Sequence, residues 1–341
     1  MSEADGGPGA AASGPLAILC GAGAFPLEVA GEARRAGRDP FLVGVVGATD
    51  SAIEAYPHVW VRMGEVGKLF AALKGRAIAE MVIIGAMTRP EFADLRLDWG
   101  AVKRAAGLAQ LFRRGDDGLL AGIAAIFERE GVRVVGAHEV APRLLARVGP
   151  VGARTPSEDD DRDIALGARL LGALSPFDAG QGAIVAAGRV LAIEAAEGTD
   201  AMLARVADMR ANGRLRLSGL AGVLIKAPKR GQDLRLDMPA IGPKTIEGAA
   251  KARLRGVAAA AGQVLVLERE RCAREADAAG TATAVNAAAA TSAPRSLVFP
   301  VTRVIDILVS RCSRSGRAKR PSGLPSPASV SNGGVLAVWP M

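Results

Sequence analysis

The densest run of side chains able to do chemistry lies between residues 226 and 239, where Lys226, Lys229, Arg230, Gln232, Asp233, Arg235 and Asp237 fall within fourteen residues closed by Pro239. Cations in such a run can neutralise phosphate oxygens, while Asp233 and Asp237 can hold a divalent metal or take a proton from water. If the segment is extended, Asp233, Arg235 and Asp237 share one face, because strand side chains alternate with period two. The same composition also suits a solvated charged loop. A second polar cluster, Glu194, Glu197, Thr199 and Asp200, stands where an apolar strand pattern gives way to helical spacing. Thr199 or Asp200 can cap that helix. A helix start also favours anions, and carboxylates beside it suit a metal-bridged phosphate.

Two glycine turns are weaker candidates. In Gly21-Ala22-Gly23 and in Gly85-Ala86-Met87-Thr88-Arg89-Pro90, backbone N–H groups can approach a nucleotide, although any tight strand-to-helix turn prefers glycine. Asp116 and Asp117 open a helix and are acids that could meet substrate. The two histidines, His58 and His138, stand away from these clusters in the chain, so neither a histidine nucleophile nor a histidine-based dinuclear metal site is expected. Cys20, Cys272 and Cys312 are widely spaced and lack a C-x-x-C pair. That excludes a zinc site or disulfide framework and fits a reducing cytoplasm.

The elements that must position these groups follow an α/β rhythm. Strands are expected at 16–20, 40–46, 81–84 and 132–135, with helices at 27–36, 65–73 and 99–130 between them, which predicts a parallel sheet covered by helices, Rossmann-like in its opening turn. The rhythm breaks near Gly149-Pro150, and Thr155 or Ser157 then caps a helix over 160–174. Beyond it the spacing predicts strands at 182–187, 189–194, 222–226 and 263–267 and helices at 199–212 and 245–253, a separate mixed α/β unit. The domains are therefore set at 15–149 and 150–280, preceded by an extension over 1–14. From Thr281 onward the chain turns to Ala, Ser, Thr, Pro and Arg without sustained period, and 281–341 reads as an atypical, disordered tail.

Charge excludes one large class of function. The formal net charge is +8, but residues 281–341 carry seven bases against one acid. The rest of the chain is nearly neutral, and the basic-patch argument for nucleic acid falls. No uninterrupted apolar run approaches the length of a membrane span. The start of the chain lacks the basic and apolar regions of a signal peptide.

Several segments together resemble the LpxI family of UDP-2,3-diacylglucosamine pyrophosphatases. They are Asp178-Ala179-Gly180-Gln181, residues 194–202, residues 232–239 and Ile241-Gly242-Pro243-Lys244-Thr245, with Gly85 to Pro90 and Gly115-Asp116-Asp117 matching the N-terminal half. The resemblance implies a Rossmann-like N-terminal domain, a separate C-terminal domain and substrate between them. It also implies hydrolysis of UDP-2,3-diacylglucosamine, in lipid A synthesis, to UMP and 2,3-diacylglucosamine 1-phosphate with Mg²⁺. On that basis Asp233 and Asp237 are the first choices for metal binding or water activation, with Glu197 as a further metal ligand. Lys226 and Arg235 would steady the diphosphate, and Gln181, Thr199, Asp200 and Gln232 would orient it. Ala22, Gly23, Gly85 and Met87 would line the N-terminal side of the substrate. The expected partner is thus a lipid-linked sugar nucleotide, with the protein cytoplasmic; peripheral contact with the inner membrane and self-association stay open.

The chain departs from the family at Ala22, where a glycine is usual, at Phe25, where a leucine is usual, and at Arg253, where a glycine is usual and packing strain is expected. The family also ends on a short apolar strand after the segment matched by residues 276–280. Because the sequence from Thr281 is unlike it, that strand is expected to be lost. Two other functions compete. A nicotinamide-dependent oxidoreductase is suggested by Gly21 and Gly23, but the third spaced glycine is missing and Val46-Gly47-Ala48 stands where a ribose-binding acid belongs. A non-catalytic sugar-nucleotide binding protein would follow if the substitutions had ruined the site.

Overall fold

A computed structural model describes residues 14–87, 98 and 116–286 of the 341-residue chain. The N-terminal half is built from β1 (Pro15–Cys20), α1 (Phe25–Arg35), β2 (Asp39–Val45), β3 (His58–Val61), α2 (Val66–Gly75), β4 (Glu80–Ile84), α3 (Asp116–Arg129), β5 (Arg133–Val134) and the short α4 (Ala137–Val140). Its five strands run parallel in the order β3-β2-β1-β4-β5. A parallel sheet of this kind must be covered on both faces, and the alternation along the strands divides the core accordingly. Leu16, Ile18, Cys20, Leu42 and Val82 pack with Val29, Ala30 and Ala33 of α1 and Val140 of α4. Ala17, Leu19, Val43 and Met81 meet Leu69 and Leu73 of α2 and Phe127 of α3 on the opposite face. The strand order reverses between β1 and β4, which puts the two glycine turns side by side at the carboxyl edge.

The C-terminal half begins with β6 (Gly149–Pro150) and α5 (Glu158–Leu174), continues through β7 (Gly182–Ala186), β8 (Arg189–Ile193), α6 (Gly198–Ala211), β9 (Val223–Lys226), β10 (Ala240–Ile241), α7 (Pro243–Lys251), β11 (Gly256–Ala260), β12 (Leu265–Val266) and α8 (Arg269–Ala279), and ends with β13 (Ala282–Asn286). Its main sheet has the order β6-β13-β11-β9-β7-β8. Strands β9, β11 and β13 are parallel, whereas β7, β8 and β6 each run antiparallel to a neighbour. Ser157 is the cap of α5: its side chain and that of Asp160 exchange hydrogen bonds with each other's backbone N–H.

The expected loss of the last strand is corrected by β13, which pairs with β11 from Gly256↔Ala282 to Ala260↔Asn286. Thr281 is buried, and Ala282 donates to Arg255 O at 2.7 Å. The sheet therefore continues past the boundary set at residue 280, because the residues after Thr281 pair with the slot already lined by β11. Three further assignments differ. The strand placed at 263–267 is confined to β12, and the strand that crosses the sheet, β11, is the alanine run just before it. The short β3 and the charged helix α8 had no counterpart in the pattern. The tail expected over 281–341 falls outside the described residues from 287 onward, as do residues 1–13 and the helix expected from 99 up to residue 115.

At Arg253 the strain lies in the backbone, not in the packing expected there. It follows α7 with φ 52°, donates its N–H to Ala250 O at 2.8 Å, and lets Leu254 N–H reach Ala249 O at 2.9 Å. This is a Schellman ending, whose left-handed residue is ordinarily glycine.

The two halves interlock through residues 236–241 and 265–266. Leu236 packs into the α2/α3 side of the N-terminal core and Met238 into its α1/α4 side. The next residues form the β10/β12 ribbon, paired Ala240↔Leu265 and Ile241↔Val266. Ala240 and Leu265 belong to the N-terminal core, Ile241 and Val266 to the C-terminal one. Period two along two residues of strand is enough to wed both cores.

Candidate functional site

A cleft of about 1450 Å³ lies between the carboxyl edge of the parallel sheet and the segment around Asp237. Its N-terminal side is formed by the turns Gly21 to Phe25 and Gly85 to Met87, and by an apolar wall in which Leu69 and Phe70 of α2 face Leu119, Ile123 and Phe127 of α3. Phe70 and Phe127 touch, their ring centroids 5.3 Å apart. The C-terminal side is polar, with Asp200, Arg235, Asp237, Lys244, Glu268 and Arg271.

The glycine turns serve a different purpose from the one the sequence suggested. Gly21 N–H donates to Ile84 O at 2.8 Å, and Ala22 and Ala86 exchange N–H···O bonds of 2.7 and 3.1 Å. These amides hold the turns together and are not presented to a ligand. A Cβ on Gly21 would fall 2.6 Å from the carbonyl carbon of Gly85, so glycine at these positions permits one turn to lie against the other. Ala22, Gly23, Gly85 and Met87 do line the cleft. Thr88, Arg89 and Pro90 lie outside the described residues, and Asp116 and Asp117 fall within α3 with side chains outside that description.

Asp237 is held from the C-terminal half by two amides. Gln181 Nε2 and Gln232 Nε2 each donate to Asp237 Oδ2 at 2.6 Å, and Gln232 is itself fixed by accepting Lys229 N–H at 2.9 Å. Gln181 and Gln232 therefore sit behind the cleft and orient the carboxylate rather than the substrate.

The segment carrying Asp233, Arg235 and Asp237 is not extended, which corrects the shared face expected of them. Leu236 and Asp237 donate N–H groups to Asp233 O at 3.0 and 3.2 Å, a helical turn. Asp233 Oδ1 accepts Arg235 N–H at 3.0 Å, and its carboxylate receives Arg235 Nη2 at 2.7 Å. Turn chemistry local to Asp233 has won over strand alternation. The Arg235 guanidinium, bonded to Asp233, holds that carboxyl below the usual carboxylate range against the opposing effect of burial, and His138 adds to the lowering. Among the described residues the buried Nδ1 of His138 has no hydrogen-bond partner. Arg235 Nη1 also reaches Glu128 Oε1 at 3.3 Å on α3, so Asp233 serves to aim Arg235 across the junction into the cleft.

Lys226 is likewise reassigned. The residue is 4% exposed, and its ammonium donates to Glu194 Oε2 at 3.0 Å and to Thr199 Oγ1 at 2.7 Å, while Thr199 donates to Glu194 Oε1 at 2.9 Å. A closed ring of this kind leaves Lys226 no reach toward a diphosphate. Neither Thr199 nor Asp200 caps α6, whose N-cap is Glu197 without a side-chain bond. Glu194 stood in the second polar cluster of the sequence, but its partnership with Lys226 becomes visible only when β8 and β9 place it 3.0 Å from a lysine 32 residues away.

The proposed ligand trio of Asp233, Asp237 and Glu197 does not assemble. Glu197 pairs with Arg205 at 2.7 Å, Asp233 with Arg235, and Asp237 with the two amides. Among the described residues no three ligating side chains converge on a metal position. The carboxylates that line the cleft are Glu65, Asp200, Asp237 and Glu268, and Asp237 and Asp200 suit a cation that takes one or two carboxylates and completes its shell with phosphate oxygens and water. Cys20 and Cys272 are buried, and burial pushes both thiols up to about 12. Neither is a thiolate nucleophile at neutral pH.

Residues 15–144 match the model of the LpxI N-terminal domain and residues 147–284 that of the LpxI C-terminal domain. The UDP-2,3-diacylglucosamine pyrophosphatase LpxI of Caulobacter vibrioides is 39% identical over 262 residues, which span 77% of this chain and 94% of that protein.

Proposed function

The chain belongs to the LpxI family, and on that premise we propose that it is a hydrolase that cleaves the diphosphate of UDP-2,3-diacylglucosamine to 2,3-diacylglucosamine 1-phosphate and UMP. The observation that carries this reading is the division of one cleft into an apolar wall and a polar face that carries Asp237. Two acyl chains require the first and a diphosphate the second. The apolar wall of α2 and α3 excludes water from the lipid, and Arg235, Lys244 and Arg271 face the charge that builds up on the departing phosphate. Asp237, oriented by Gln181 and Gln232, accepts the proton of the attacking water. Asp237 and Asp200 would hold Mg²⁺ with the substrate's own oxygens, and the ion would supply charge neutralisation at the diphosphate.

Among the described residues no helix is long and apolar enough to cross a membrane. A lipid substrate would nonetheless bring the protein to a cytoplasmic bilayer surface, as a peripheral visitor. Nothing in the cleft favours the nicotinamide alternative, since the N–H groups of Gly21 and Ala22 are spent on Ile84 and Ala86.

The test is UMP release from UDP-2,3-diacylglucosamine, with Mg²⁺ and with chelator, by the wild type and by Asp237→Ala. Metal-dependent release that is lost in the variant is expected. Absence of release by folded wild type would sink the hydrolase reading, and undiminished release in chelator would remove the metal from it.

A further inference from the structure

We propose that the buried ring of Glu194, Lys226 and Thr199 is the positioning device of this site, setting Asp237 through Gln181 and Asp200 through Thr199; the proposal rests on the hydrolase reading. None of the three lines the cleft, and none is offered as a catalytic residue. The ring is nonetheless wired to two of the carboxylates that do face it, Asp237 and Asp200.

On one side it frames Gln181. Gly180 N–H donates to Glu194 O at 3.0 Å and Glu194 N–H donates to Gly182 O at 2.8 Å, so the residues flanking Gln181 are both bonded to Glu194. Gln181 O accepts the N–H of Ala227, the residue after Lys226, at 3.0 Å. The fit has no slack: a Cβ on Gly182 would fall 2.3 Å from Glu194 Oε2, and one on Gly180 2.6 Å from Glu194 Cγ. Gln181 leaves this frame with its amide 2.6 Å from Asp237 Oδ2. On the other side the hydroxyl of Thr199 ties the first turn of α6 to Lys226, and the next residue, Asp200, lines the cleft.

Energetics argue that the pair exists for geometry. Lys226 and Glu194 are 4% and 9% exposed, and removing two ions from water is expensive enough that an apolar pair of the same volume is often as stable. An ionic ring fixes direction, which an apolar contact does not. A 1 Å misplacement of a group at a reacting centre can lower the rate about a hundredfold.

The experiment uses full-length protein carrying Glu194→Gln, the paired apolar replacement Glu194→Leu with Lys226→Met, and Gln181→Ala alone and combined with Glu194→Gln. UMP release and amide hydrogen exchange are measured on each. Glu194→Gln should lower kcat about 10- to 100-fold with KM within roughly threefold, and should speed exchange at Gly180 and Ala227. The apolar pair should melt close to the wild type yet remain as slow as Glu194→Gln. Adding Gln181→Ala to Glu194→Gln should slow the enzyme no further, because both act through one contact. Recovery of kcat in the apolar pair would show a merely structural role and overturn the proposal, as would effects that multiply in the combined variant. If the wild type releases no UMP, the hydrolase reading fails by itself. The exchange arm then decides, and unchanged exchange at Gly180 and Ala227 in Glu194→Gln overturns the positioning role.

Discussion

The two halves of this molecule solve the same problem, holding a carboxyl edge of a sheet open to a ligand, by opposite means. In the N-terminal half the edge is made by backbone lying on backbone, Gly21 against Gly85, with apolar helices rising beside it. Apart from the Arg62–Glu65 pair on the cleft wall, its ionic cluster stands at the far end of the strands, where Glu80 binds Arg38 at 2.6 Å and also Arg133. Burial pushes the Glu80 carboxyl up, and the two guanidiniums outweigh it and hold the group low. In the C-terminal half the ionic groups stand directly beneath the cleft, as the Glu194, Lys226 and Thr199 ring and the Gln181, Gln232 and Asp237 triangle. One half supplies shape and the other supplies direction. A lipid-linked diphosphate needs both at once.

The largest effect expected of this division is on rate. Asp237→Ala should lower kcat by about 10² to 10⁴, whereas Ala22→Gly, on the shape-giving side, should leave it within about twofold. A comparable loss in both variants would erase the distinction between the halves. Next comes stability at the interlock. Leu236→Ala removes a side chain buried in the N-terminal core from a segment that belongs to the other half, and should cost about 2–4 kcal/mol in denaturant unfolding. A loss near zero would mean that the segment is not anchored there.

A smaller effect of opposite sign is expected from Arg253→Gly. The left-handed φ of 52° strains a residue with a Cβ by roughly 1–2 kcal/mol, so the variant should melt several degrees higher with kcat unchanged. An unchanged midpoint would show that the strain is relieved elsewhere.

The smallest concerns pH. Arg235 lowers the Asp233 carboxyl in the folded protein. Asp233 therefore contributes stability above the ordinary aspartate value near 4, and that contribution disappears as pH falls through its lower folded value. Asp233→Asn should flatten the acid limb of a plot of melting temperature against pH and leave the neutral region displaced but parallel. An acid limb as steep as the wild type's would place the titrating group elsewhere.

How far the sequence reveals this depends on the range of the interactions involved. Strands such as Leu16 to Cys20 were legible because burial on both faces demands an unbroken apolar run. The alanine run of β11 was not, since alanine has no strand preference and only the neighbours β9 and β13 make it one. Helix α8 was masked by the charges of Arg269, Glu270, Arg271, Arg274 and Glu275. Of the residues lining the cleft, Asp237 and Arg235 stand out in local composition. The role of Lys226 could not, because the difference between a phosphate clamp and a buried anchor is made by Glu194, brought alongside by strand pairing. The turn at Asp233 was legible in principle, as an aspartate that accepts the N–H two residues on, and the period-two pattern concealed it.

The β10/β12 ribbon has a consequence for how this chain can be cut and inherited. The two family models meet near residue 145 as though two modules had been joined end to end. Yet Leu236, Met238, Ala240 and Leu265, all beyond that point, are built into the earlier core. A fragment severed at the seam would carry an incomplete interior, and a gene that exchanged one half for a foreign one would have to replace these four positions as well. The seam visible along the chain is not a seam in space.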